Sequence, residues 1–348
     1  MHMRSFVLLF GTAFSMSLTH AAVAGSVTLT VGPGKTYPTI SAAVAVADAD
    51  TSPTDFYIIE VEPGTYTNDF PLVTRPLEIE VDPTEIGRPV ILNATVPLPN
   101  EKGIILNFSN LIVNGLTFQG AEISSALGGN GAGIRDQNTL SGGGGPGAAL
   151  PYLIVLNSTF INNQTGMLTG DNYSQSITVT NSKFINNGNP DPTVFQHALY
   201  VNYAGSLTVT NSVFCGQLIG HDIKSRALQT NVSDNQLYDG QADAAVGCNA
   251  GSTSLAIDVP NGGIAAISGN LITQGQASQN SKMVDYGEEG LLYSTNSFIV
   301  SYNNFTNIGT LSAIGIFQEL PCVPVQLTAD DFTGVATPVY PPSCAVYE

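Results

Sequence analysis

The strongest chemical signal in this sequence is a pair of cations two residues apart, Lys224 and Arg226 in His221-Asp-Ile-Lys-Ser-Arg226. The chain holds 10 Lys plus Arg against 27 Asp plus Glu, a formal net charge of −17. Arg4 falls in an N-terminal stretch expected to be removed, so this pair is two of the nine remaining cations. In so acidic a chain that concentration suits the carboxylate of an acidic sugar. The Arg226 fork can grip such a carboxylate through two hydrogen bonds and lower the cost of negative charge as the neighbouring C5 proton leaves. Lys224, its pKa pushed down by the adjacent cation, is the candidate base for that proton, and Tyr200 the candidate acid for the departing glycosidic oxygen. The competing reading is a pair of surface cations facing Asp222 and Asp258, which contributes little energy.

Other residues join the set by position. Alternation along a strand places Asp222, Lys224 and Arg226 on the outer face, with Ile223 and Ser225 inside. Asn202, Asp222 and Asn261 are then candidate substrate contacts. His197 and His221 start successive strands in phase with Leu199 and Ile223, so a buried or turn-lining pair is expected, with a proton relay as the functional alternative. Asp258 and Asp285 on neighbouring strands are candidates for two-carboxylate glycoside hydrolysis. Asp285, Glu288 and Glu289 form an acidic cluster whose natural metal would be Ca²⁺. Two strands at ~4.8 Å put that cluster roughly 10 Å from Lys224, which predicts chemistry without a metal or other cofactor.

A repeat must position these groups. Leu153-Ile-Val-Leu-Asn-Ser-Thr-Phe160, Ile177-Thr-Val-Thr-Asn-Ser-Lys-Phe184 and Leu207-Thr-Val-Thr-Asn-Ser-Val-Phe214 are one motif three times, with looser copies at 232–237, 267–272 and 299–305. The spacing is that of coils in a parallel β-solenoid, each motif a short strand with Ile, Val and Phe inward and its Asn stacking on the next coil to satisfy backbone groups. A second strand precedes each motif, at 132–136, 197–202, 221–227, 255–261 and 283–286. Stacked at ~4.8 Å, these strands bring Tyr200, Lys224 and Asp258 into one outward row. Upstream, 31–48 reads as a strand, a turn and an amphipathic helix starting near Thr39 or Ser41, suited to plugging the open end of the solenoid.

The segments GKTYPTISAAV and EVEPGTY and the NSxF coils resemble the right-handed parallel β-helix of the pectate lyase superfamily, over nearly all of the chain after residue 24. That resemblance implies an all-β, right-handed parallel β-helix with an N-terminal capping helix, acting on or binding polysaccharide. Asp222-Ile-Lys-Ser-Arg226, followed by Asn231 to Asn235, also resembles the lysine-bearing coil of polysaccharide lyase family six, the alginate lyase and chondroitinase B type. This narrower resemblance implies that Lys224 is the base. The family's arginine lies in an R-H-G context on the next coil, where this chain has Asp258-Val-Pro-Asn-Gly262, so Arg226 would have to replace it. Together these point to β-elimination of a polyuronate, with C5 epimerisation, hydrolysis or silent glycan binding as the other outcomes the fold accommodates.

Composition excludes other classes. With 36 Gly and 11% charged residues, a helical bundle is out of reach, and an acidic chain lacks the basic surface nucleic acid requires. The apolar stretch 6–18 after Arg4, closed by Ala22-Val23-Ala24, reads as a signal peptide over 1–24, too short to span a membrane. One domain is expected over 25–348, with a cap region at 25–66 and a disulfide-linked tail at 319–348, as a secreted or periplasmic monomer. The glycine-rich stretch 128–147, including the run 142–145, lacks a P-loop ending and reads as a surface excursion between coils. Four cysteines allow three pairings, of which Cys215 with Cys248 and Cys322 with Cys344 is favoured, and without any CxxC a zinc site is not expected.

Overall fold

The computed structural model describes residues 25–52, 54–139, 150–189, 191, 193–319 and 321–347; the expected signal peptide and the glycine run 142–145 lie outside the described residues. Strands wind through three parallel sheets of 12, 10 and 10 strands, each coil contributing one strand to each sheet in turn. This is the right-handed parallel β-helix that the resemblance implied. Among the described residues Ile40–Ala49 is the one α-helix, with Thr39 as its N-cap accepting from the Ala42 amide. Asp69 also accepts from the amides of Ile40 and Ser41, and the helix buries Ile40, Ala43, Val44 and Ala47. No helix of the described residues is long and apolar enough to cross a membrane. Both favoured disulfides are present, Cys215–Cys248 and Cys322–Cys344, with Cα atoms 5.9 and 6.0 Å apart.

The repeated motif is two strands in two different sheets. In the first copy these are Tyr152–Leu156 and Thr159–Ile161, and the Asn-Ser pair between them makes the corner. Asn157, Asn181 and Asn211 hold φ of 51°, 50° and 52°, the left-handed region that Asn tolerates better than other side-chain-bearing residues. Two of these side chains pair along the surface, Asn181 Nδ2 donating to Asn157 Oδ1 at 2.6 Å. The expected satisfaction of backbone groups falls instead to the next residue. Ser158, Ser182, Ser212, Asn235, Asn270 and Asn303 form an internal ladder in which each amide N–H donates to the side chain one coil on, ending at Asp330. Beside it Phe118, Phe160, Phe184 and Phe214 stack at 4.9, 4.7 and 4.6 Å.

The sheet that carries the candidate site contains Leu199–Val201, His221–Ser225, Leu255–Val259 and Lys282–Tyr286. Its strands do not alternate from their first residue. Pairing runs His221 with Leu255 and then Ile223 with Ile257, skipping the second position. At that position in other coils, a Cβ on Gly133, Gly166 or Gly315 would meet the rings of Phe160, Phe184 or Phe332, so residues there face inward. Second and third residues therefore both enter the core, and the first shares the outer side with the fourth.

This bend overturns the expected exposure of Asp222. Its side chain is fully buried and, among the described residues, neither carboxyl oxygen has a hydrogen-bond partner. Burial pushes its pKa well up, and nearby Asp239 pushes the same way. Asp222 therefore touches no substrate. A group whose folded pKa exceeds its unfolded value contributes stability that is complete below pH ~4 and is lost as pH rises through the folded pKa. Ala198 and Ala256 hold the same place in the flanking coils, preceding Leu199 and Ile257 as Asp222 precedes Ile223. Asp222→Ala is expected to stabilise the protein at pH 8 by about 1–3 kcal/mol, the cost of an unpaired buried polar group. Melting curves across pH should show that gain shrinking towards pH 4; a lower melting temperature at pH 8 would show that Asp222 has a stabilising partner.

Candidate functional site

Register builds the expected row. Tyr200 pairs with Lys224, Lys224 with Asp258 and Asp258 with Asp285, one residue from each of four coils. Arg226 follows the strand end, its Nε donating to the Tyr200 hydroxyl oxygen at 2.9 Å and its Nη1 to Asn261 Oδ1 at 2.5 Å. Lys224 Nζ donates to Asp258 Oδ2 at 2.7 Å. Lys224 is only 7% exposed and Asp258 0%, so this is a buried ion pair and not the weak surface contact of the competing reading.

The acidic loop is where the structure departs most from expectation. After Lys282–Tyr286 the chain folds back over the preceding turn, held by Glu289 N–H to Pro260 O and Leu292 N–H to Asn261 O, both 2.9 Å. Glu289 thereby reaches across two coils. Its carboxylate takes Lys224 Nζ at 3.1 Å and both terminal nitrogens of Arg226, Nη2 at 2.7 Å. The roughly 10 Å separation expected from strand spacing alone is closed by backbone hydrogen bonds outside the strands.

These contacts set the charges. Burial works to lower the Lys224 pKa, but the Asp258 and Glu289 carboxylates outweigh it and hold the ammonium above its ordinary value. The lowering expected from Arg226 is therefore not found. Burial pushes Asp258 up to about 6 against the pull of Lys224, whereas Arg226 and Lys224 hold Glu289 below the usual carboxylate range despite partial burial. Asp285 is pushed up to about 7 by burial, although Lys282 sits 2.7 Å away.

His197 is buried as expected and His221 only partly so, and both face the outer side. Because the bend shifts the phase, His221 shares the outer side with Lys224, its Nε2 3.4 Å from Asp258 Oδ2. His197 accepts the His221 amide N–H on Nδ1 at 3.0 Å and meets the Tyr200 ring edge-on. Burial lowers both, His221 to about 3 with Lys224 adding to the effect, which favours neutral rings packed beside the row. Asn202 turns away, donating to the carbonyl of Thr169 at 3.3 Å.

The proposed metal ligands do not fit a Ca²⁺ ion. Asp285 is taken by Lys282, Glu288 lies 3.6 Å from the same Lys282, and Glu289 is held by Lys224 and Arg226. Among the described residues no three of His, Cys, Asp and Glu converge to hold a metal. Asp258 and Asp285, both fully buried beneath lysines, have no open side from which to flank a glycosidic bond. Sequence reasoning missed Lys282, Tyr203 and Tyr293. Lys282 lies three residues before Asp285, a signal that was readable. The two tyrosines lie in turns with no periodicity to mark them. Tyr293 donates to the Arg226 carbonyl, and the Arg226 guanidinium lies 5.9 Å from the ring centres of both Tyr200 and Tyr203.

No family model matches this chain, and no curated protein matches it. Among solved structures it is similar to the pectin methylesterase of Aspergillus niger in deglycosylated form, at 15% identity and a TM-score of 0.46 over 88% of this chain and 86% of that one. The same enzyme in a penultimately deglycosylated form gives 14% identity and a TM-score of 0.47 over 92% and 89%. At such identities no residue here inherits a role.

Proposed function

We propose that this face binds a uronic-acid polysaccharide and cleaves it by β-elimination. One observation carries the reading: Arg226 and Lys224 together already grip a carboxylate, that of Glu289, in the two-pronged geometry a sugar carboxylate would adopt. Glu289 marks the seat. An incoming uronate displaces it from the Arg226 fork and leaves Lys224 with Asp258 alone.

The remaining groups supply the proton transfers. With Glu289 displaced, Lys224 keeps only one of the two carboxylates that raise it; Nζ then passes a proton, uphill, to Asp258 Oδ2, 2.7 Å away and itself raised to about 6, and the free amine takes the C5 proton. The C5 electron pair forms the C4–C5 double bond as the C4–O bond breaks. Arg226 stabilises the negative charge that builds on the carboxylate meanwhile. Tyr200 accepts the Arg226 Nε–H on its oxygen, so its own hydroxyl hydrogen is free to go to the departing oxygen. Exchange with water restores Asp258 and Tyr200. Epimerisation shares the first half and differs only in returning the C5 proton from the other face. The two disulfides fit an oxidising, extracellular setting.

The test is incubation with a panel of polyuronates, following ultraviolet absorbance of the unsaturated product. Absorbance should rise for at least one polymer and persist in excess chelator, since Arg226 and not a metal neutralises the carboxylate. Uronate binding with no absorbance and no change at C5 would leave a glycan-binding protein and end the elimination reading.

A further inference from the structure

A second feature beside Arg226 is apolar. Asn172 pairs with Ala204 and Ser176 with Ser206, so three residues, 173–175, face one on the partner strand. Such bulges re-aim side chains. This one sends Gln175 inward, where Nε2 donates to Asp136 Oδ2 at 2.8 Å, and throws Tyr173 outward to 59% exposure. Tyr173 stacks on Tyr203, ring centres 5.4 Å apart and planes 8° apart. It also walls a cavity of about 510 Å³ lined in the main by Leu228, Ile264, Leu292, Tyr293 and Thr295. That volume lies in the range of small-molecule sites. The cavity neighbours the carboxylate seat: its lining residue Tyr293 donates through its hydroxyl to the Arg226 carbonyl, and Tyr203, stacked on the lining residue Tyr173, has its ring centre 5.9 Å from the guanidinium.

We propose that Tyr173, Tyr203 and Tyr293 form a subsite for the ring of the sugar next to the one held at Arg226, so that the protein binds oligomers more tightly than single uronates. The inference rests on the carboxylate reading of Arg226 for its register along the glycan. A pyranose offers a C–H face for an aromatic wall and hydroxyls for a tyrosine or threonine rim, and the carboxylate of an acidic ring, which the cavity lining does not pair, would stay in solvent. The subsite therefore accepts a neutral or acidic sugar by its ring face, and the charge is read at Arg226 alone.

The chain has 13 Tyr and no Trp, so quenching of tyrosine fluorescence reports ligand directly. Titrations with monomeric uronate, oligouronates and neutral oligosaccharides should be run on the wild type and on Tyr173→Ala. Tyr173 is exposed on a bulge, and a melting curve will confirm that the variant is folded. Roughly tenfold weaker oligomer binding is expected for Tyr173→Ala, with unchanged monomer binding, as for loss of one aromatic contact. Oligouronate affinity unaltered by Tyr173→Ala would overturn the subsite while sparing the Arg226 reading. Binding of neutral oligosaccharides, lost in Tyr173→Ala, without any uronate binding would support the subsite and overturn the carboxylate reading. A wild-type dimer that Tyr173→Ala dissolves would assign the patch to a second copy of the chain and overturn the proposal, as would a wild type that binds no glycan.

Discussion

Lys224→Ala is expected to abolish formation of the unsaturated product, a loss of about 10²–10⁴-fold if the amine is the general base. It will not be structurally silent. Asp258 is fully buried, and removing its partner leaves an unpaired carboxylate in the packed face, at roughly 3–5 kcal/mol. A second variant separates the two effects. Lys224→Ala combined with Asp258→Ala removes both charges and should recover most of the melting temperature while staying inactive. Recovery of activity in the double variant would strike Lys224 from the mechanism. The same pair predicts the acid limb of the rate. Asp258 must be ionised to accept the lysine proton, so activity should rise as pH climbs through about 6, and a rate that is flat from pH 5 to 8 would oppose that proton path.

Arg226→Ala and Glu289→Gln should move the same equilibrium in opposite directions. Arg226 provides both prongs of the seat, and its loss should cost about 10²–10³-fold in turnover, the usual size for removing a donor aimed at developing charge. Glu289 competes for those prongs. At 37% side-chain exposure its two ion pairs are partly screened, so Glu289→Gln should tighten uronate binding by about two- to thirtyfold and no more. The comparison is made by titrating an oligouronate into each variant at low and high salt. Weaker binding in Glu289→Gln would mean that Glu289 organises the seat instead of filling it, and the mechanism would need another carboxylate site.

Much of this molecule was legible in its sequence because a solenoid repeats its physics every coil. The NSxF motif marks a corner residue able to hold positive φ, then a small polar residue for the internal ladder, then an inward aromatic, and one coil's solution serves the next. Thr39 announced the capping helix by its side-chain oxygen, and strand spacing aligned Tyr200, Lys224 and Asp258. What alternation could not supply was the bend at the second residue of the site strands. It is invisible as a pattern because Gly, Ala and Asp all occupy that position, yet it moves Asp222 inside and His221 out.

The sequence by itself determined the coils, the cap and the row, since these follow from local propensity and a fixed strand spacing. Only the tertiary structure decided the charge state of the site. Glu289 lies 65 residues from Lys224 along the chain, and the amide bonds that fold its loop over Pro260 and Asn261 leave no mark in composition or period. Coulomb interaction depends on distance and burial, which a repeat does not encode for loops. Asp258 from the row and this second carboxylate at 3.1 Å together hold above its ordinary value a lysine expected to be lowered, and Glu289 marks where we propose a substrate carboxylate sits.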